Sequence, residues 1–124
     1  MSNPLVDMEH PEVIFAIGTN MTECHPVAAT RLKKAVSRGA KMIVVDPRET
    51  RLAKMADLHI RIRVGSDVAL LLAMAHVISR EGLIDKEFIE SSTSGSEDFL
   101  NHVKDFTPEW ASEICEVPAE QIEQ

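Results

Sequence analysis

Three short stretches of this sequence carry residue types suited to holding a nucleotide: Gly18-Thr19-Asn20, Asp46-Pro47-Arg48 and Gly65-Ser66-Asp67. Glycine lets the main chain turn tightly where a phosphate must approach it, and Thr19 and Asn20 add short hydrogen-bonding side chains. Asp46 directly follows an apolar run, where doubly wound folds set a carboxylate on a ribose hydroxyl pair. Arg48 can reach a phosphate or lie flat against a base. Asp67 offers two carboxylate oxygens, which match the parallel N1–H and N2–H donors of guanine. Each stretch also has a plainer reading. Asn20 or Thr22 can stabilise an ordinary strand-to-helix loop, and Asp46 can be a turn residue ahead of proline. Arg48 can be a surface charge, and Asp67 a first-turn acid behind a Ser66 cap. With its single glycine, "IGTN" is neither a Walker loop nor a dinucleotide fingerprint.

Position supports the sharper reading. Residues 12–82 alternate strand and helix signals. Glu12–Ile17 is short, continuous and partly β-branched, which predicts a buried strand. Val27, Ala28, Leu32, Ala35 and Val36 repeat at helical spacing, predicting a helix from His25 to Arg38 that stops at Gly39. Met42–Val45 predicts a second buried strand, Thr50–Ala56 a short helix, and Leu58–Val64 a third strand. That third strand alternates Leu58, Ile60, Ile62 and Val64 against His59, Arg61 and Arg63, the pattern of a sheet edge with one wet face. Ser66 opens a helix to Arg80, ended by Gly82. Strand-helix-strand order implies a parallel sheet with a right-handed crossover. Ligands of such sheets bind beyond the carboxyl ends of the strands, so the three stretches are expected along one rim. The helix after Gly18 would point free N–H groups at it.

"VALLLAMAHVI" is apolar nearly all round, so this helix is expected to need covering on more than one side. A free domain of this size could hardly supply that, and the chain is expected to be part of something larger. Short acidic helices follow, with Asp85 and Thr107 as caps and Pro108 at a first helical position. The expected fold class is α/β: a three-layer α/β/α, Rossmann-like, mostly parallel sheet followed by short C-terminal helices. Its expected parts are an N-terminal extension (1–11), a βαβ nucleotide-binding core (12–82) and a helical continuation of the same domain (83–124).

At 124 residues the chain is one domain's worth, small for a complete enzyme. Its net charge of −7 is uneven: residues 31–63 hold ten Lys/Arg against three Asp/Glu, and residues 81–124 two against twelve. The acidic part argues against a nucleic-acid binder. The basic middle is read mainly as a solvated face, with room for one small anionic ligand. Cys24 and Cys115 form no CxxC pair, which fits a reducing, cytoplasmic compartment. No secretory signal or membrane span is apparent. His10, His25, His59, His76 and His102 show no metal-like spacing. His76 reads as a hydrogen-bonded core or interface residue, and Trp110 as a pin for the helix after Pro108. There is no Ser-His-Asp order with a nucleophile elbow.

Taken together, "GTNMTECHPV…RGAKMIVVDPRETRLAKMADLHIRIRVGSDVALLLAMAHVI" closely resembles the molybdopterin oxidoreductase (dimethyl sulfoxide reductase) family. Its nearest look is to catalytic alpha subunits of molybdenum- or tungsten-dependent formate dehydrogenases. The likeness runs from about Val13 to Gln121. It implies that these loops bind one molybdopterin guanine dinucleotide of the pair that holds the metal. By the same resemblance Gly18, Thr19, Asn20 and Met21 approach the phosphates, with Glu23 and Cys24 at the edge. Asp46, Pro47 and Arg48 contact the nucleoside, with Glu49 and Thr50 as an extension, and Gly65 and Asp67 recognise guanine. His25 and Pro26 fit the pattern without a ligand role. The family's N-terminal cysteine cluster for [4Fe–4S], its metal-ligating cysteine or selenocysteine and its catalytic histidine have no counterpart here, so this piece is expected to be catalytically silent. Its expected partners are the remaining domains of its own subunit and electron-transfer subunits, with self-association of the isolated piece. The intact enzyme would be cytoplasmic or periplasmic. The alternatives are another family member such as nitrate reductase, the scaffold domain of the NADH:quinone oxidoreductase large subunit, and a free-standing nucleotide-binding domain.

Overall fold

The computed structural model describes residues 4–124, so residues 1–3 of the expected extension lie outside the described residues. The chain forms two compact units, Met1–Arg61 and Ile62–Gln124.

The first unit is a three-stranded, all-parallel sheet with its helices, in agreement with the α/β expectation. The strands β1 (Val13–Ile17), β2 (Lys41–Val45) and β3 (Leu58–Ile60) lie in that order, with β2 central. Between β1 and β2 run a one-turn helix α1 (Met21–Cys24) and a longer helix α2 (Pro26–Ser37). One face of the sheet supplies Ile14, Ala16, Met42 and Val44 to a core completed by Leu32 and Ala35 of α2 and by Leu52 and Ala53. These positions alternate along each strand and recur at three-residue spacing on the helix, as the two periodicities require. Gly39, at φ +104°, ends α2: it donates its N–H to Val36 while Ala40 donates to Ala35, a paired capping pattern that needs a left-handed residue.

Four expectations change in detail. The third strand stops at Ile60 rather than Val64, because the Arg63 N–H donates to the Cys115 carbonyl and residues 63–66 close into a turn. Val64, expected inside, is 80% exposed. The short helix expected over Thr50–Ala56 is a 3₁₀ turn at Ala53–Met55. Ser66 does precede the long helix, but its hydroxyl donates to the Arg63 carbonyl (2.6 Å) instead of capping. The N-terminal stretch contains a 3₁₀ helix, Leu5–Glu9, that packs on α2 within the first unit. Buried Glu9 accepts from Arg31 (2.6 Å) and Lys34 (3.3 Å), with Arg38 at 3.8 Å. Part of the basic stripe read as solvated is therefore engaged inside the chain.

The second unit is helical: α3 (Asp67–Arg80), α4 (Lys86–Ser92), α5 (Ser96–His102), α6 (Pro108–Cys115) and α7 (Ala119–Glu123). Ala69, Leu70, Ala73 and Val77 form the buried stripe of α3, and the small residues let α6 approach with Ala111 and Cys115. The Cys115 thiol donates to the Ser66 carbonyl (3.4 Å), and burial pushes its pKa up. Half-buried His76 hydrogen-bonds through Nδ1 to the Val103 carbonyl (3.0 Å). Asp85 and Thr107 cap α4 and α6 as expected, and Trp110 packs its ring on Phe106 at 4.8 Å. Val68, Leu71 and Ile78 of α3 face outward, with Val68 70% exposed. Among the described residues no helix is long and apolar enough to cross a membrane.

Candidate functional site

Parallel pairing fixes which loops meet. Ile17 lies opposite Val45, and Val45 opposite Ile60, so all three strands of the first unit end level at one carboxyl edge. The chain leaves β1 into Gly18 and leaves β2 into Asp46. The two exits are joined directly, the Gly18 N–H donating to the Val45 carbonyl at 3.0 Å. Gly18 has φ +58°, a left-handed conformation that costs most other residues energy. No atom lies within 4 Å of where its Cβ would stand, so the main chain is bare on that side.

From Gly18 the loop runs through half-buried Thr19 and Asn20. Asn20 precedes α1, and its carbonyl accepts from the Glu23 and Cys24 N–H groups (3.1 and 2.9 Å). Its side-chain Oδ1 accepts from the Thr22 hydroxyl at 3.0 Å. The Met21 side chain packs against the core, whereas Glu23 and Cys24 are exposed. The helix expected from His25 begins at Pro26, behind α1. Its first position thus lacks an N–H, which reduces the donors that end of α2 can offer.

The second loop is more tightly built. Asp46 is only 4% exposed. Its Oδ1 accepts the Arg48 N–H at 2.8 Å, an Asx turn across Pro47. Its N–H donates to the Ile60 carbonyl at 3.2 Å, and its own carbonyl lies 2.9 Å from His59 Nε2. The turn reading of Asp46 is thus met: one carboxylate oxygen shapes the turn at the sheet edge. Arg48 is exposed, with its Nε 3.6 Å from Asp46 Oδ1, and Pro47 and Glu49 are exposed as well. Buried Thr50 accepts the Ala53 N–H through Oγ1 (3.2 Å) and serves the following turn.

Gly65 and Asp67 belong to the second unit. Gly65 has φ +86°, and Asp67 is an exposed acid in the first turn of α3. The structure thus brings the Gly18 and Asp46 loops together within one unit and places Gly65 and Asp67 on the other. His59, read from sequence only as one member of a wet strand face, is the side chain that reaches the Asp46 main chain. Among the described residues no group of three His, Cys, Asp or Glu is arranged to hold a metal ion.

Comparison with known proteins gives concordant matches. The molybdopterin oxidoreductase family model matches residues 1–111. The chain is 47% identical over 122 residues to the F420-dependent formate dehydrogenase subunit alpha of Methanocaldococcus jannaschii, covering 98% of this chain and 18% of that protein. It is 40% identical over 119 residues to a nitrate reductase of Synechocystis sp., covering 94% of this chain and 17% of that protein. Among solved structures, acetylene hydratase from Pelobacter acetylenicus superposes with a TM-score of 0.84 at 34% identity, over 96% of this chain and 18% of that one. The chain spans less than a fifth of the length of each of these relatives.

Proposed function

The chain belongs to the molybdopterin oxidoreductase family, and we propose that it supplies a dinucleotide-binding region to a formate-oxidising member. Membership implies a molybdopterin cofactor, and the guanine dinucleotide form, held with a second copy around molybdenum or tungsten, is part of the proposal. The single observation that carries it is the junction of the Gly18 and Asp46 turns at the carboxyl edge of a parallel sheet, where such sheets bind nucleotides.

The residues present suit that group. The bare main chain at Gly18 admits a phosphate, and Thr19 and Asn20 are close enough along the loop to hydrogen-bond one. The exposed Arg48 guanidinium offers a charged, forked donor. Asp46 is a carboxylate held in one orientation, an acceptor for ribose hydroxyls. Gly65 and Asp67 join through the family resemblance, with Asp67 accepting from guanine N1–H and N2–H. Met21, Glu23 and Pro47 complete the binding set as the main-chain path and rim of the two loops. When bound, the molybdopterin supplies the metal-centred redox chemistry, and the residues of this chain bind and orient it. The [4Fe–4S] centre and the metal-ligating side chain belong to other parts of the full-length subunit. The proposed partners of this region are the subunit's remaining domains and, beyond them, electron-transfer subunits. The unpaired Cys24 and Cys115 fit a cytoplasmic setting.

Formate is favoured over nitrate by 47% identity over 98% of this chain to the formate dehydrogenase relative, against 43% over 82% for an assimilatory nitrate reductase of Bacillus subtilis. The binding reading is tested by titrating the ¹⁵N-labelled chain with GDP and with ADP. GDP is expected to shift the amides of Gly18–Glu23, Asp46–Arg48 and Gly65–Asp67 more than ADP does. Equal or absent shifts overturn it. Formate-dependent dye reduction by the full-length subunit tests the substrate, and its absence overturns that part.

A further inference from the structure

Every main-chain polar group of Asp46 is spoken for, and one of its partners comes from outside the loop and from a side chain. Asp46 is the first residue beyond β2, where the ladder no longer guarantees a donor for its carbonyl. A buried carbonyl left without one loses the hydrogen bonds that water gave it. β3 runs parallel to β2 with His59 opposite Val44, and the imidazole reaches forward to the Asp46 carbonyl at 2.9 Å. A carbonyl oxygen only accepts, so Nε2 carries the proton and donates. The neutral Nε2–H tautomer and the imidazolium both satisfy this contact. The same residue that His59 holds by its carbonyl holds Arg48 by its carboxylate (Arg48 N–H to Asp46 Oδ1, 2.8 Å). Carbonyl, carboxylate and the amide donated to Ile60 together leave the Asp46 turn little freedom.

We propose that His59 is the positioning residue of this edge: its Nε2–H, donated to the Asp46 carbonyl, fixes the turn that presents the Asp46 carboxylate and Arg48 to a bound nucleotide. This rests on the nucleotide-binding reading for the ligand, though not for the turn itself. His59 need not touch the nucleotide. It acts by removing alternative orientations of Asp46 before binding, so that less ordering remains to be done on association.

Two measurements decide it. In the wild-type chain, long-range ¹H–¹⁵N correlation of the His59 ring is expected to show Nε2 protonated. A neutral ring protonated at Nδ1, with Nε2 bare, overturns the proposal without any variant. Second, hydrogen exchange is compared in His59→Gln, whose amide can still donate, and His59→Leu, which cannot. His59→Leu is expected to speed exchange of the Arg48 amide and weaken GDP binding, each about tenfold. The amides of β1 and β2 should keep their rates, and His59→Gln should restore both losses. Uniform acceleration across the sheet in His59→Leu, or no rescue by His59→Gln, shows a general structural role and overturns the proposal. If His59→Leu does not fold, loss of Arg48 protection in His59→Gln overturns it and retention supports it. Should GDP leave the wild-type loops unperturbed, the binding reading fails, and the tautomer and Arg48 exchange still decide the role of His59.

Discussion

The sheet unit and the helical unit differ in how deeply their acids are engaged and in how their exposed apolar side chains gather. In the sheet unit the acids nearest the core are engaged internally. Glu9 gathers Arg31, Lys34 and Arg38; Asp57 takes Lys41 (2.8 Å) and the Met42 N–H (2.9 Å); Asp46 takes the Arg48 N–H. In the helical unit most acids are exposed, and large apolar side chains are exposed beside them. Phe88 and Phe99 are 58% and 51% exposed and flank an apolar cleft of about 420 Å³ that also involves Ile78 and Leu83. The contrast teaches that local charge does not locate a ligand surface. The basic segment is partly neutralised by an acid from the N-terminal stretch, whereas the acidic segment hides an apolar face.

The contrast breaks first at Asp46 if it breaks at all. Asp46→Ala removes a buried carboxylate and leaves the Arg48 N–H without its acceptor, and is expected to cost about 1–3 kcal/mol, read from urea unfolding. Asp46→Asn keeps an acceptor and should recover most of that. A loss under about 0.5 kcal/mol for Asp46→Ala would mean the turn is held without its carboxylate.

Glu9 is expected to have a smaller effect that depends on pH. Burial pushes its pKa up, but hydrogen bonds and charges from Lys34 and Arg31 together outweigh burial and leave it below the ordinary 4.5. A lowered carboxylate pKa contributes stability that is complete above the ordinary value and disappears as pH falls through the folded-state value. The urea midpoint of the wild type should therefore exceed that of Glu9→Gln at neutral pH. The gap should close on acidification below 4.5. A gap that widens in acid would show that the ion cluster does not hold the N-terminal segment.

For the helical unit the expected change lies in association. Replacing Phe88 and Phe99 with serine should weaken concentration-dependent self-association in sedimentation velocity, while each substitution alters unfolding free energy by less than about 0.5 kcal/mol. A wild-type chain that stays monomeric at all concentrations would remove the distinction between the two surfaces.

What could be read in advance follows the same division. β1, β2, α2 and α3 were legible because continuous apolar runs and helical spacing depend on local burial alone, and Gly39, Asp85 and Thr107 punctuate the helices by local chemistry. The adjacency of the Gly18 and Asp46 loops was legible too, since parallel strands end on one edge. The interactions that failed to show are non-local. The third strand is cut short by a hydrogen bond from Arg63 to Cys115, far along the chain. Glu9 finds α2 through packing that composition does not encode. His59 reaches Asp46 only because the register sets it opposite Val44. α1 was missed because a single polar turn carries no periodicity.

A change that the fold should tolerate is the most informative about binding. Asp67 is exposed in the first turn of α3, and the hydroxyl of its neighbour Ser66 is turned back to Arg63 rather than onto the helix. Asp67→Asn removes a charge that favours the helix N-terminus, worth about 0.3–1 kcal/mol at an exposed site, so the fold should tolerate it. On the proposed reading the same change is severe for guanine. Asparagine offers one acceptor and sets an N–H₂ where guanine also presents a donor, so one of two paired hydrogen bonds becomes a clash of like groups. Preference for GDP over ADP should then fall toward unity while binding of the phosphate portion survives. If Asp67→Asn keeps the preference, Asp67 is a first-turn acid and nothing more, and guanine must be read by other groups. If Asp67→Asn unfolds the chain, the exposed acid carries structural weight that its surroundings do not show, and the contrast between engaged and free carboxylates fails at its clearest example.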